Sequence, residues 1–487
     1  MPPPEPSAAA PPASTAAFAG YDVTRYLCAA MYTDVTLARS AVDRIVKEPR
    51  KAVASSPGVS MGCVLRHALA AQRRHRRRDI LLTVLLCTGL IALALAFAVS
   101  GAAGYTVAFL GFLIAWAIVA TEFVSAHYHV VSRQLKRENF DPHRAPRPTN
   151  ARDAARVDAI ELRDRGNVLI SSSYPPFVGH GVTYSTWSFA LNTARAEPGR
   201  QVVPFTVHEL DRYLSARVGE LGLPGLDLAH VLLVNGADLL LGVDERTRGE
   251  LLPHTGGPPG AHVSESLLRE LREHGRGTAR PYLAIRVAGW GGELVSTLFL
   301  RCTLLPDRSI AFIEGSNCLL TPVRQEYRTV DALLGSPTLR QWCRLVGEAG
   351  LRTPYLLLRA PFAVRDDLFA PLSEGREQRR QERRIRVRSF NYGAEFSLRE
   401  AASSGLYYRH FQEIDEELYS KTVEHRVLDS LVQFMEDHNI DTHELIQRQT
   451  TIYNTGLFAG RDISINRSSV RAGSSAPPRT VQPAQRR

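Results

Sequence analysis

A chain of 487 residues has room for two or three domains, and an apolar share of 44% excludes a largely disordered protein. The net charge of +10 comes from two runs: residues 73–78 contribute +5, and residues 376–388 contribute seven arginines less two glutamates, again +5. The remainder is balanced, so the basic charge is no evidence of a general nucleic-acid-binding surface.

Only four residues are lysine (Lys47, Lys51, Lys136, Lys421) against 55 arginines. With abundant Ala and Gly, this skew points to a GC-rich bacterial genome. The six cysteines (Cys28, Cys63, Cys87, Cys302, Cys318, Cys343) form no CxxC and no Cys/His spacing of a zinc site. No metal, cofactor or catalytic residue is implied, and free thiols in a reducing cytoplasm are the expectation.

Residues 1–17 are Pro, Ala and Ser and are expected to be disordered. Residues 18–72 form an N-terminal helical segment. Its apolar spacing over Tyr21–Val46 suits one or two amphipathic helices, and Val59–Gln72 reads as a helix leading into the next region.

Residues 73–137 read as a transmembrane hairpin with spans 80–99 and 105–124. Twenty helical residues cover about 30 Å, the thickness of a hydrocarbon core. The first run holds twelve Leu, Ile, Val or Phe residues. At about −0.5 kcal/mol each they favour insertion by about 6 kcal/mol, with no charge opposing them. The break Ser100–Gly104 makes the two runs antiparallel neighbours. Arg73, Arg74, Arg76, Arg77 and Arg78 precede the first span, and Arg133, Lys136, Arg137, Arg144 and Arg147 follow the second. Positive residues stay inside, so both termini are expected to be cytoplasmic in a multi-pass protein of the bacterial cell membrane. The first run starts too late and is too long for a cleaved signal peptide.

Residues 138–153 are a polar linker, and residues 154–372 an α+β domain. Asn167–Ser171, Thr183–Asn192 and His230–Asn235 read as strands. Thr206–Gly219 reads as a helix opened by a Thr206/Glu209 capping box. Gly291-Gly292 is a hairpin turn that opposes Val287 to Ser296, Ile285 to Leu298 and Leu283 to Leu300. A second turn at Pro306–Ser309 opposes Cys302 to Ile313 and Arg301 to Glu314. The sheet is therefore largely antiparallel. Helices over Val323–Leu334 and Thr338–Gly350 and a strand over Pro354–Leu358 complete the domain. Residues 373–466 carry the basic run and a helical arm, with a long helix over Glu413–His438 and a second one capped by Asp441 and running to about Tyr453. Residues 467–487 are expected to be a disordered tail.

The segment Arg25-Tyr-Leu-Cys-Ala-Ala, the two spans with their basic flank, Pro176-Phe-Val-Gly-His-Gly181 and Trp187-Ser-Phe189 resemble a group of uncharacterised actinobacterial two-span membrane proteins. The resemblance implies a bacterial membrane protein. It implies no activity.

Two stretches carry candidate chemistry. The loop from Ser171, Ser172, Ser173 and Tyr174 to His180 reads first as a tight structured loop closing two strands, and as the alternative a ligand loop that offers hydroxyls and free N–H groups to an anion, without a P-loop pattern. On a helix, Arg376, Arg379, Arg380, Arg383 and Arg384 share one face. Together with Arg73, Arg74, Arg76, Arg77 and Arg78 they suit anionic lipid headgroups. Few aromatics interleave, which speaks against nucleic acid. The reading is a membrane-anchored cytoplasmic scaffold or partner-binding module, with membrane lipids as partners and the C-terminal helices available to a second copy or another protein. The alternative is a membrane-tethered enzyme with a pocket near Tyr174–Gly181. A pathway for solutes is disfavoured, because two spans without a buried charge do not line one.

Overall fold

The computed structural model describes residues 22–164, 166–274, 277–332, 338–447 and 449. The expected disorder of 1–17 and 467–487 and the end of the last helix near Tyr453 lie outside the described residues.

The first part of the chain is helical. α1 (Asp22–Thr33) and α2 (Val35–Ala41) meet at Asp34, whose carboxylate caps α2 by accepting from Thr36 N and Leu37 N. α3 (Met61–Val99) is one helix of 39 residues, so the entering helix and the first apolar run are continuous. α4 (Gly101–Val124) follows after a single non-helical residue, Ser100. The expected five-residue break is thus shorter. Ser100 is extended, and its hydroxyl caps α4 by accepting from Ala103 N at 3.1 Å. The two helices Met61–Val99 and Gly101–Gln134 are long and apolar enough to cross a membrane. The second includes a π-helical stretch and the short α5 (Ser132–Gln134). α6 (Ala151–Arg163) starts at the end of the expected linker and runs into the expected α+β domain, and it packs Val157 and Ile160 into a core formed with α1, α2 and the N-terminal part of α3.

The sheet has six strands in the order β1-β3-β4-β5-β6-β2. These are β1 (Val168–Ser171), β2 (Val182–Asn192), β3 (Leu226–Asn235), β4 (Arg280–Gly289), β5 (Leu294–Leu304) and β6 (Ile310–Leu320). Only the β1–β3 pair is parallel. The β4–β5 register is the expected one, Val287 opposite Ser296 and Leu283 opposite Leu300. β5–β6 places Arg301 opposite Glu314, 3.0 Å apart as an ion pair. Such agreement follows from period-2 patterning: a one-residue slip would turn every buried side chain to the wrong face.

Helices cover one face. α7 (Val207–Gly219) begins at the Thr206/Glu209 capping box and buries Leu210, Leu214 and Val218. After α8 (Glu245–Leu251), α9 (Glu265–His274) and the short α10 (Gln325–Arg328) come three further helices, α11 (Leu339–Arg386), α12 (Leu398–Ala401) and α13 (His410–Asp437). α13 lays Val427, Leu428, Leu431 and Met435 against Leu283, Ile285, Leu298 and Leu300 of the sheet. At about 1.5–3 kcal/mol for each fully buried side chain, this face binds the expected arm firmly to the α+β body. Asp441 accepts from His443 N at 3.0 Å, as a cap should.

The region after β6 departs from expectation. Among the described residues, the helix expected over Val323–Leu334 is the single turn of α10 followed by a 3-10 turn, Thr329–Ala332. Pro354–Leu358 is not a strand. It lies inside α11, which runs 48 residues through Pro354, Pro361 and Pro371. A five-residue apolar run has no visible period, so it fits either state. Packing decides here. Ala349 and Ala360 are buried against Leu82 of α3 and Ala115 and Val119 of α4, and Trp116 Nε1 donates to Val346 O at 2.9 Å. Neighbouring helices hold a helix together where a proline removes one of its own bonds.

Candidate functional site

The Ser171–Gly181 loop closes over the second face of the sheet. Phe177 stacks on Phe299 with ring centroids 4.5 Å apart. His180 is buried edge-on to Phe299 at 4.9 Å, and burial, with Arg286 nearby, holds its pKa down at about 3. It is a neutral packing residue. The loop hydroxyls serve the chain itself: Ser171 donates to Ser173 O, Ser172 to Ala394 O and Ser173 to Pro175 O. Tyr174 points away, 99% exposed.

The free N–H groups expected for an anion are committed. Gly179 N and Gly181 N both donate to Glu400 Oε1, at 2.7 and 2.9 Å. Both glycines have φ near +90°, and a Cβ on either would lie about 2 Å from a backbone oxygen, Ser55 O or Leu319 O. The loop is therefore a built anion nest, and its anion is the chain's own carboxylate. Burial raises the pKa of Glu400, and the two backbone donors oppose that shift. Its neighbour Arg399 is wholly buried and donates to Glu293 O and Thr321 O, both at 2.8 Å.

The two arginine runs differ. In the first, Arg78 is 4% exposed, bound to Asp79 at 2.8 Å and to Glu122 at 3.4 Å. Arg74 donates to Ser125 Oγ at 2.8 Å, Arg73 to Leu69 O at 3.3 Å, and Arg76 lies 3.5 Å from Asp367 of α11. Arg77 is exposed. In the second run, Arg376, Arg379, Arg380, Arg383 and Arg384 are all exposed on α11, while Gln381 beneath them is buried.

The first run leads to a site that no motif announced. At the foot of α3 and α4, His75 Nδ1 lies 3.3 Å from Glu122 Oε1. Together with Arg78 they border a cavity of about 800 Å³ between α1–α2, the base of the two apolar helices and α11. α11 contributes Arg344, Leu345, Arg352, Tyr355, Leu356 and Arg359. Arg352 is held by Glu348 at 2.6 Å and lies 5.2 Å from the centre of the Phe123 ring. Arg359 donates to Tyr355 Oη at 3.0 Å. Arg344 and Arg359 have no carboxylate partner among the described residues. Beside the cavity, Leu351, Tyr355, Leu358, Phe362, Phe369 and Leu372 recur along α11 at spacings of three, four or seven residues, every one of them more than half exposed.

A family model described as the AbeC-like domain matches residues 186–466, more than half of the chain. The chain belongs to the AbeC-like domain family. No curated protein and no solved structure matches it. The family match opens inside β2 and passes the end of α13, so it takes in α11 and the arginines that α11 lends to the cavity. The apolar helices α3 and α4 fall outside it.

One cluster outside the family match was missed in the sequence. Cys28 of α1 and Cys63 and His67 of α3 are buried together, with their possible donor atoms all within 4.8 Å of one another. The two sulfurs are 3.7 Å apart, and Tyr32 Oη lies 3.0 Å from His67 Nδ1. Burial raises the pKa of Cys28. A hydrogen bond from Cys28, with His67 close by, draws Cys63 down. The signal was present as two i, i+4 pairs, Cys28/Tyr32 and Cys63/His67, each on one helix face. What the sequence did not announce is that the two faces meet.

Proposed function

We propose that this is a membrane-anchored binding module for an anionic amphiphile of the inner leaflet, with the cavity at the foot of α3 and α4 as its site. α3 and α4 cross the bilayer, both termini are cytoplasmic, and the sheet body stands on the cytoplasmic side. The observation that carries the reading is α11. It packs on Leu82, Ala115 and Val119, within the two apolar runs, and leaves a stripe of Leu351, Tyr355, Leu358 and Phe362 exposed. A stripe continuous with membrane-crossing helices suits acyl chains, and Arg344 and Arg359 beside it suit a phosphate. The resemblance to two-span bacterial membrane proteins supports the anchor. The five arginines of the second run extend the basic surface along the same helix.

The test is lipid extraction from the full-length protein purified in mild detergent. Anionic phospholipid should co-purify in preference to zwitterionic lipid. Replacing both Arg344 and Arg359 by Gln should weaken retention by about thirtyfold, at about 1 kcal/mol for each arginine near a lipid surface. Equal retention of zwitterionic and anionic lipid would remove the headgroup reading. A protein found in the soluble fraction after cell lysis would remove the anchor.

A further inference from the structure

We propose that Cys28, Cys63 and His67 bind a thiophilic closed-shell metal ion, Zn²⁺ or Cu⁺, that ties α1 to α3. The donor set is the one such ions select, two thiolates and an imidazole. Its spacing fits as well. Two sulfurs each about 2.3 Å from a tetrahedral zinc stand about 3.8 Å apart, and Cys28 Sγ and Cys63 Sγ are 3.7 Å apart. The third donor lies within 4.8 Å of both, so a small rotation of the imidazole closes the set.

The surroundings are those of a metal ligand set. Metal-bound histidines use their second nitrogen to hold an outer partner, which fixes the ring. Tyr32 is an outer partner of this kind, with its Oη 3.0 Å from His67 Nδ1. Cys63 lies in the first turn of α3, where the positive end of the helix favours a thiolate. Cys28, Cys63 and His67 are each no more than 3% exposed. Their closed surroundings suit an ion held for structure. Three protein donors make a trigonal site for Cu⁺ or leave one position of a zinc tetrahedron to water.

The position gives the ion a task. α1 meets α3 a few turns before the apolar run. An ion there would fix the N-terminal pair α1–α2 against the helix that leads to the cavity, whose wall includes Tyr32, Thr33 and Asp34. The site does not depend on the lipid reading, because none of its ligands touches the apolar runs.

The experiment uses the full-length protein in detergent, reduced, stripped with a chelator, and then offered Zn²⁺ or Cu⁺ in separate arms before desalting and elemental analysis. The expected result is about one equivalent of one of the two ions per chain, falling at least tenfold in Cys63→Ser and in His67→Gln. Cobalt offered to the unaltered protein keeps the test open if those variants unfold. Intense thiolate-to-cobalt absorption would support the site. Less than a tenth of an equivalent of either ion, with no cobalt–thiolate band, would overturn it. So would recovery of Cys28 and Cys63 as a disulfide in protein prepared without reductant, since that assigns the pair to redox chemistry.

Discussion

The two arginine runs have the same net charge and opposite surroundings. Residues 73–78 lie where α3 meets α4 and α11, and there Arg78 is buried between Asp79 and Glu122. Residues 376–388 form the end of α11 and the two residues after it, and all seven of their arginines are exposed. A run of charge in a sequence thus says little about its use. A buried guanidinium is held by acceptors, for Arg78 two carboxylates, because leaving it unpaired is costly, whereas an exposed one is free to meet a ligand. The difference also separates structure from function: the first run holds helices together, and the second is available.

That contrast is broken most directly at Arg78. Arg78→Ala leaves Asp79 and Glu122 buried without their cation and should destabilise the protein by about 3–5 kcal/mol. Thermal unfolding in detergent measures this, and an unchanged midpoint would mean that the pair is solvated. Next comes a carboxylate buried without such a partner. Burial, with Glu417 and Glu413 adding like charge, pushes the pKa of Glu416 up to about 7 from 4.5. Its folded form thus holds its proton more tightly than the unfolded chain. Stability should be full below pH 4.5 and fall by up to about 1.4 kcal/mol per pH unit as pH rises towards 7. Glu416→Gln should flatten that slope in urea titrations across the range.

A third effect, about 1–3 kcal/mol, is expected for Glu400→Ala, which orphans the N–H groups of Gly179 and Gly181. Glu400→Gln keeps an acceptor oxygen and should recover most of that loss. Equal unfolding midpoints for the Ala and Gln variants would refute the internal-anion assignment. The smallest effect belongs to the second run. Changing Arg376, Arg379, Arg380, Arg383 and Arg384 to Gln should move stability by no more than about 0.5 kcal/mol for each residue. The same change should lower the amount of anionic lipid that co-purifies. A large loss of stability would show that this face is not free.

Local pattern made much of the sheet legible. The turn at Gly291-Gly292 and the alternation around it set the pairing of Leu283 with Leu300 and, one strand on, of Arg301 with Glu314. The Thr206/Glu209 box placed the start of α7. Pro354–Leu358 failed for the same reason that the sheet succeeded. Sequence pattern reports local period, and four apolar residues after a proline have none. Only contact with α3 and α4 makes them helical. The loop at Ser171–Gly181 showed its hydroxyls and N–H groups in the sequence, but the group that takes two of those N–H groups, Glu400, lies more than two hundred residues away.

By itself the sequence determined where the apolar helices lie, that β4 pairs with β5 and β5 with β6 in the observed register, and that the charge is concentrated in two runs. These follow from composition and from periods of 2 and 3.6 residues, which act over a few neighbours. The tertiary structure alone decided that α11 is one helix lying against α3 and α4, that Arg78 is buried while Arg379 is not, and that Cys28 meets Cys63 and His67. Each depends on which faces come together, and burial, charge pairing and ligand geometry are properties of that meeting.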